Sequence, residues 1–187
     1  VDLERNLDEV LKENQILNEI LTEIKVKSKN GIIRDIQKSY NEEQNSDFMI
    51  KIGDKVFKVH KFMLAARSSV LSEMIQSNNE ATQLDLLDIS EATFKMILDF
   101  IYCEKFPEEN SNFKEIFMAS GRLNLKDLKE FAGEKIEVDD ENALEILTLA
   151  NKYNHEELKL KCFTIIQKMY PNHQLKPDLI NQPDMVK

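Results

Sequence analysis

Residues 46–71, which read SDFMIKIGDKVFKVHKFMLAARSSVL, carry the pattern that decides the fold. Phe48, Ile50 and Ile52 alternate with Met49 and Lys51, and a second alternation puts Phe57 and Val59 on one face. A period of two is typical of strands that bury one face. Gly53-Asp54 lies between the two runs, and a two-residue loop beginning with Gly suits a type II′ turn. The stretch therefore predicts a short antiparallel hairpin.

The residues after this hairpin change to helical spacing. Phe62 to Ala66 form a first helical run, and Ser68-Ser69 is a start signal for a second helix. Farther along, Leu84 to Leu87 is a short apolar run that could form a third strand, and Ser90 is expected to cap an amphipathic helix. The apolar face of that last helix comprises Phe94, Ile97, Leu98 and Ile101.

These residues resemble the BTB/POZ domain family. The family pattern is an Asp that opens the first strand, a Gly turn, and then Phe-x-x-His-Lys-x-x-Leu-Ala-Ala-Arg-Ser, which matches Asp47, Gly53 and residues 57–68. Leu86 to Ile89 and the ending Phe100-Ile101-Tyr102 are similar to its later strand and helix. The resemblance implies an α+β fold, in which a helix cluster is flanked by a short three-stranded sheet. It also implies a role in protein–protein interaction.

A heptad pattern precedes this domain, and residues 1–28 are predicted to form a coiled-coil helix. Apolar residues alternate steps of four and three, and Asn14 falls at an a position, where one Asn favours parallel two-stranded pairing. Alternatively, the helix is amphipathic and docks on its own domain. Gly31 is expected to end this helix. The seam consists of Leu3, Leu7, Val10, Asn14, Leu17, Leu21 and Ile24.

The resemblance implies a two-fold homodimer of the domain at residues 31–123. Ile32, Ile36 and Tyr40 are spaced to share one helix face, which in the family packs across the two-fold axis and against the helix that holds Met63. Asp47 and Lys58 match positions that form a charged pocket at that interface. Two alternatives stay open, namely that the stripe covers the chain's own core and that Asp47 and Lys58 are a surface pair. The predicted interface consists of Asn14, Leu17, Leu21, Ile32, Ile36, Tyr40, Asp47, Lys58 and Met63.

Residues 124–187 are predicted to be a partial all-α extension. Helical faces recur through Met169; Asp139 or Asp140 is expected to cap one helix, and Asn154-His155-Glu156-Glu157 is a start signal for another. Gly121 and Gly133 are interpreted as breaks between helices. The stretch from Ala143 is similar to the BACK or three-box helices of cullin adaptors, with the speckle-type group as the nearest in character.

In those adaptors, an apolar residue followed two positions later by Glu enters a cullin-3 pocket. The corresponding loop follows Met74, and here the acidic position is Glu80 while the apolar position is Asn78. Burying an amide in place of an aliphatic anchor costs roughly 1–3 kcal/mol. Cullin-3 contact through Met74, Asn78 and Glu80 is thus one hypothesis, and the helical extension offers a second route.

The composition excludes several classes of function. With 25 Lys and Arg against 34 Asp and Glu, the formal net charge is −9, which is not that of a nucleic-acid binder. Only 4 Gly and 4 Pro indicate a helix-rich chain. No apolar run is long enough to span a membrane, and we see no charged–apolar–small signal pattern in the first residues. Because the chain begins with Val1, we expect it to be part of something longer.

No catalytic, metal or cofactor motif is found in the sequence. The three His and two Cys share no ligand spacing, so we expect no zinc site and no cofactor, and nothing indicates an enzyme. Cys103 and Cys162 are expected to be buried thiols of a reducing compartment, either cytoplasm or nucleus. His60 is expected to be a packed histidine whose ring bonds the backbone.

The leading hypothesis is a homodimeric interaction module that acts as a substrate adaptor of a cullin-3 ubiquitin ligase. The alternative is a BTB dimerisation scaffold in a transcriptional or cytoskeletal assembly without cullin. In either case the cargo is an unknown protein.

Overall fold

A computed structural model describes Lys12, Gln15, Leu17 and residues 31–77 and 81–169. The chain divides into two compact units, residues 1–45 and 46–187. Helices dominate the second unit, which also holds a small sheet. In the described part of the chain, no helix is both long enough and apolar enough to cross a membrane.

The first unit contains helix α1 at residues 31–41, followed by a turn at 42–45. Lys12, Gln15 and Leu17 are also helical and exposed. Gly31, which was expected to end a helix, is itself helical. With no atom within 4 Å of its would-be Cβ, the position places no steric demand for glycine. The polar residues 41–46 do end α1, as their composition predicts.

The sheet of the second unit has three strands in the order β2-β1-β3. Strands β1 (Phe48–Ile52) and β2 (Lys55–Val59) form the predicted antiparallel hairpin, and Ile52 pairs with Lys55 across the turn. Gly53 has φ +57°, while Asp54 is not left-handed, as a type II′ turn requires. The third strand β3 (Gln83–Asp85) starts one residue before the predicted run and pairs in parallel with β1.

Three helices pack around this sheet. They are α2 (Lys61–Arg67), α3 (Ser69–Ser77) and α4 (Glu91–Cys103). Ser68 separates α2 from α3, and its Oγ accepts the Leu71 N–H at 3.0 Å and donates to the Leu123 carbonyl at 2.5 Å. Ser90 caps α4 by accepting the Thr93 N–H at 3.2 Å. Both predicted serine start signals are confirmed.

Two helical hairpins follow in the described part of this unit, α5 (Phe113–Arg122) with α6 (Lys126–Lys135), and α7 (Ala143–Lys152) with α8 (Glu156–Met169). Their turns are alike. Asn124 and Asn154 are both left-handed, with φ +53° and +52°. Around Asn124, three backbone hydrogen bonds close the turn. The N–H groups of Leu123, Asn124 and Leu125 donate to the carbonyls of Ala119, Gly121 and Ser120 respectively. The same pattern recurs at Tyr153, Asn154 and His155, so each turn is a Schellman motif.

Gly121 and Gly133 do not separate helices, contrary to the sequence interpretation. They lie inside α5 and α6, where a Cβ on Gly121 would overlap the Tyr153 ring and one on Gly133 would overlap the His155 ring. The glycines therefore let the α7–α8 turn approach the first hairpin closely. Helical spacing alone could not distinguish this role from that of a break.

The turn before α7 is held by Asp139, whose carboxylate accepts the N–H groups of Glu141 and Asn142. The N-cap residue of α7 is Asn142, and not Asp139 or Asp140 as predicted.

The core joins the inner face of the sheet to the helices. The largest fully buried side chains are Phe94, Phe117, Ile50, Leu64, Leu71, Ile97, Leu98, Ile101, Ile116, Leu123, Leu125 and Leu128.

Candidate interaction surface

Helix α2 presents an apolar side chain to solvent. Phe62 is 78% exposed, the neighbouring Met63 is half-buried, and Leu64 points into the core. The sequence predicts an interface role for Met63 and places Phe62 only in the helical run. The exposure of Phe62 is nevertheless predictable, because helical spacing puts it on the opposite side of the helix from Leu64.

The predicted residues of the first unit are distributed as follows. On α1, Ile32 is 61% exposed, whereas Ile36 and Tyr40 are half-buried. Leu17 is exposed. Asn14 and Leu21 lie outside the described residues. The pairing of the N-terminal helix thus stays a prediction.

Asp47 and Lys58 both belong to the hairpin region. Lys58 lies on β2 opposite Met49, and Asp47 lies just before β1, where its N–H donates to the Val59 carbonyl at 3.2 Å. The Asp47 carboxylate accepts the backbone N–H of Lys61 at 2.8 Å, at the first residue of α2. One carboxylate therefore links the start of β1 to the start of α2.

His60 lies between β2 and α2 and bonds a tyrosine. Its Nδ1 is 2.9 Å from the Tyr102 hydroxyl, and its backbone N–H donates to the same oxygen at 2.9 Å. The sequence predicted a backbone partner for this ring, but the bond described here is to a side chain 42 residues away. Burial raises the pKa of Tyr102 to about 12, with a smaller contribution from the charge of Asp47.

The predicted cullin contact is only partly described. Met74 is exposed on α3, four residues after Val70 in the helix. Asn78 and Glu80 lie outside the described residues.

The hairpin α7–α8 carries two exposed leucines, Leu144 on α7 and Leu160 on α8. One turn after each of them a threonine hydroxyl donates to the leucine carbonyl at 2.9 Å, from Thr148 and Thr164 respectively.

Cys103 and Cys162 are free, but their environments differ. Cys162 is fully buried, and burial raises its thiol pKa to about 11. Cys103 is half-buried, and burial together with Asp99 raises its pKa. Within residues 31–77 and 81–169, no group of three or more His, Cys, Asp and Glu side chains is placed to hold a metal ion.

A protein-family comparison matches residues 36–137, more than half of the chain, to the BTB/POZ domain. The match runs from within α1 through α6, and the hairpin α7–α8 follows it. The predicted boundary between residues 123 and 124 stays a prediction.

Curated relatives extend beyond this match. The chain is 28% identical over 148 residues to protein maternal effect lethal 26 of Caenorhabditis elegans, covering 74% of the chain but only 37% of that protein. It is 25% identical over 146 residues to a BTB/POZ domain-containing protein of Arabidopsis thaliana, covering 74% of the chain and 67% of that protein. Mouse rabankyrin-5 is 31% identical over 131 residues, which are 11% of its length. The chain thus spans little more than a third of the nematode protein and a small part of rabankyrin-5.

Solved structures agree on the fold. The BTB domain of zebrafish PATZ1 superposes with a TM-score of 0.52 at 24% identity, covering 57% of this chain and 91% of that domain.

Proposed function

The chain belongs to the BTB/POZ family of protein–protein interaction domains, and on that premise we propose that it is a homodimeric adaptor that brings a substrate protein to a cullin-3 ubiquitin ligase. Dimerisation presents two copies of any attached recognition element. Two linked copies raise the avidity for a partner through effective concentration. The free thiols Cys103 and Cys162 suit the proposed setting in cytoplasm or nucleus.

The observation that carries the dimer is the exposure of Phe62 on α2. Fully burying such a side chain contributes about 1.5–3 kcal/mol, and in a two-fold dimer each residue of a shared patch is buried twice. Asp47 before β1 and Lys58 on β2 would add charged groups whose pairing at the interface would disfavour a shifted arrangement.

A pair of charge insertions tests the proposed surface. Phe62→Glu should convert the dimer to monomer in light scattering at tens of micromolar. Leu87→Glu is the matched control, because Leu87 is 71% exposed on the loop after β3 and is not assigned to the interface. If the Phe62→Glu protein stays dimeric, α2 is not part of the interface.

The cullin-3 role is supported by the exposed Met74 on α3, just before the segment that holds Asn78 and Glu80. Calorimetry with an N-terminal fragment of cullin-3 should give sub-micromolar affinity. Asn78→Met should tighten binding, because it replaces an amide with an aliphatic anchor, and Glu80→Lys should weaken it.

The second candidate is a dimeric scaffold in a transcriptional or cytoskeletal assembly without cullin, and the amide at Asn78 favours it. The same calorimetry separates the two functions. Absence of binding by the wild type and by Asn78→Met would support the scaffold.

A further inference from the structure

A cleft of about 460 Å³ opens where the turns of the two helical hairpins meet. Its walls are the α5–α6 turn, the first turns of α6 and the α7–α8 turn. This volume falls within the range of about 300–1,000 Å³ that is typical of ligand sites. The cleft shares no residue with α2, so it belongs to a different surface from the one proposed for the dimer.

Positive side chains outnumber negative ones in this cleft. The charged residues that line it are Lys126, Lys129, Lys152 and Glu130. Three ammonium groups against one carboxylate leave an excess of two positive charges, whereas the whole chain carries a net charge of −9. A cleft with a local charge excess attracts ligand groups of the opposite sign. The sign of the charge therefore points to a negatively charged ligand.

One of the three lysines is held in place by the protein. The side chain of Lys129 is only 15% exposed, and its Nζ donates to the Tyr153 carbonyl at 3.0 Å and lies 3.0 Å from Glu130 Oε1. An ammonium group has three N–H donors, so one of them is left for a ligand. Because this side chain is already ordered, it loses little conformational freedom when it binds.

The other two lysines have no carboxylate partner. Lys126 and Lys152 are exposed, and within residues 31–77 and 81–169 neither forms an ion pair. The Nζ of Lys152 lies 5.3 Å from the centroid of the Tyr153 ring, which does not neutralise its charge. Lys126 and Lys129 are three residues apart on α6 and so share one side of that helix. Ammonium groups from both hairpins thus line one cleft.

We propose that this cleft binds an acidic peptide segment of a partner protein, one with at least two neighbouring carboxylates. Hydrogen bonds between ammonium groups and carboxylates are among the stronger ones in proteins. A segment with several carboxylates can bond lysines of both hairpins at once, and each further bond forms within a complex that already exists. A long polyphosphate fits less well, because it would extend from this small cleft over the acidic remainder of the chain.

Fluorescence anisotropy with a labelled peptide of glutamates between glycines tests this site in the whole chain. At low salt the wild type should bind the peptide saturably, and Lys126→Glu should weaken binding about ten-fold. The substitution suits the fold, since an acidic residue at the start of α6 interacts favourably with the helix dipole. Lys168→Glu is the matched control, because it makes the same charge change on an exposed residue of α8 outside the cleft. It should bind like the wild type.

Three results of this experiment would overturn the proposal. They are the absence of binding by the wild type, equal weakening by Lys126→Glu and Lys168→Glu, and equal binding of a peptide with glutamines in place of the glutamates. The second result would mean that only the overall charge matters.

Amide chemical shifts of the wild-type chain give a test that needs no variant. Titration with the glutamate peptide should move the amide signals of Asn124, Leu125 and Asn154, which line the cleft, and leave those of β1 unchanged. Largest shifts outside the cleft would contradict the assignment. A single-stranded oligonucleotide that displaced the peptide at lower concentration would make a nucleic acid the ligand and would also overturn the proposal.

Discussion

At the scale of the residue, Gly121 allows a close approach between the two helical hairpins. We predict that Gly121→Ala destabilises the protein by about 1–3 kcal/mol, because the new methyl group overlaps the Tyr153 ring and the packed helices must separate. Urea unfolding measures this loss. Gly31→Ala is the control, since Gly31 is helical and has open space at its Cβ. That substitution should stabilise by up to about 1 kcal/mol, and equal destabilisation by both variants would contradict the close-packing explanation.

The raised pKa of Tyr102 predicts a loss of folding stability at alkaline pH. Its pKa is raised from 10.0 to about 12 in the folded chain, so the unfolded chain releases this proton first as the pH rises. The stability that Tyr102 contributes is complete below pH 10 and is lost toward about pH 12, which amounts to about 2–3 kcal/mol. Tyr102→Phe lacks this titration. Unfolding of the two proteins across that range should show the wild type losing its advantage, and parallel curves would refute the assignment.

At the scale of the element, Ser68 joins three helices through two short bonds. Ser68→Ala should cost about 2–3 kcal/mol, because it removes the cap of α3 and leaves the buried Leu123 carbonyl without this donor. Ser90→Ala is the comparison, since Ser90 is exposed and its hydroxyl caps α4 and bonds the half-buried Glu115 carboxylate. Its cost should be about 1 kcal/mol. Denaturant midpoints measured at constant slope report both, and equal losses would mean that the bond to Leu123 contributes nothing.

Some elements of the fold can be predicted from the sequence, whereas the contacts between elements cannot. The hairpin and the helix starts follow from local signals: the alternation in β1, the glycine turn at Gly53, and serine caps. The parallel pairing of β3 with β1 has no local signal, since nothing in residues 83–85 identifies the partner strand. The same holds for the contacts of Gly133 with His155 and of His60 with Tyr102, which join residues far apart in the chain. Spacing predicts an element, whereas only packing gives the partner.

At the scale of the whole molecule, the proposed interaction site is defined by exposed apolar side chains and not by reactive groups. The family match establishes an interaction domain, and exposed apolar side chains such as Phe62, Leu144 and Leu160 are surfaces that such a domain can use. The net charge of −9 gives little information about the interaction site, because charged side chains lie mostly on outer faces. The apolar positions determine the proposed interactions.

Sedimentation equilibrium of the wild-type chain measures the proposed homodimer itself. At tens of micromolar, a two-fold dimer should give a molar mass of twice 21.8 kDa, independent of rotor speed. A single species of 21.8 kDa at that concentration would contradict the homodimer and, with it, the bivalent mechanism proposed for the protein.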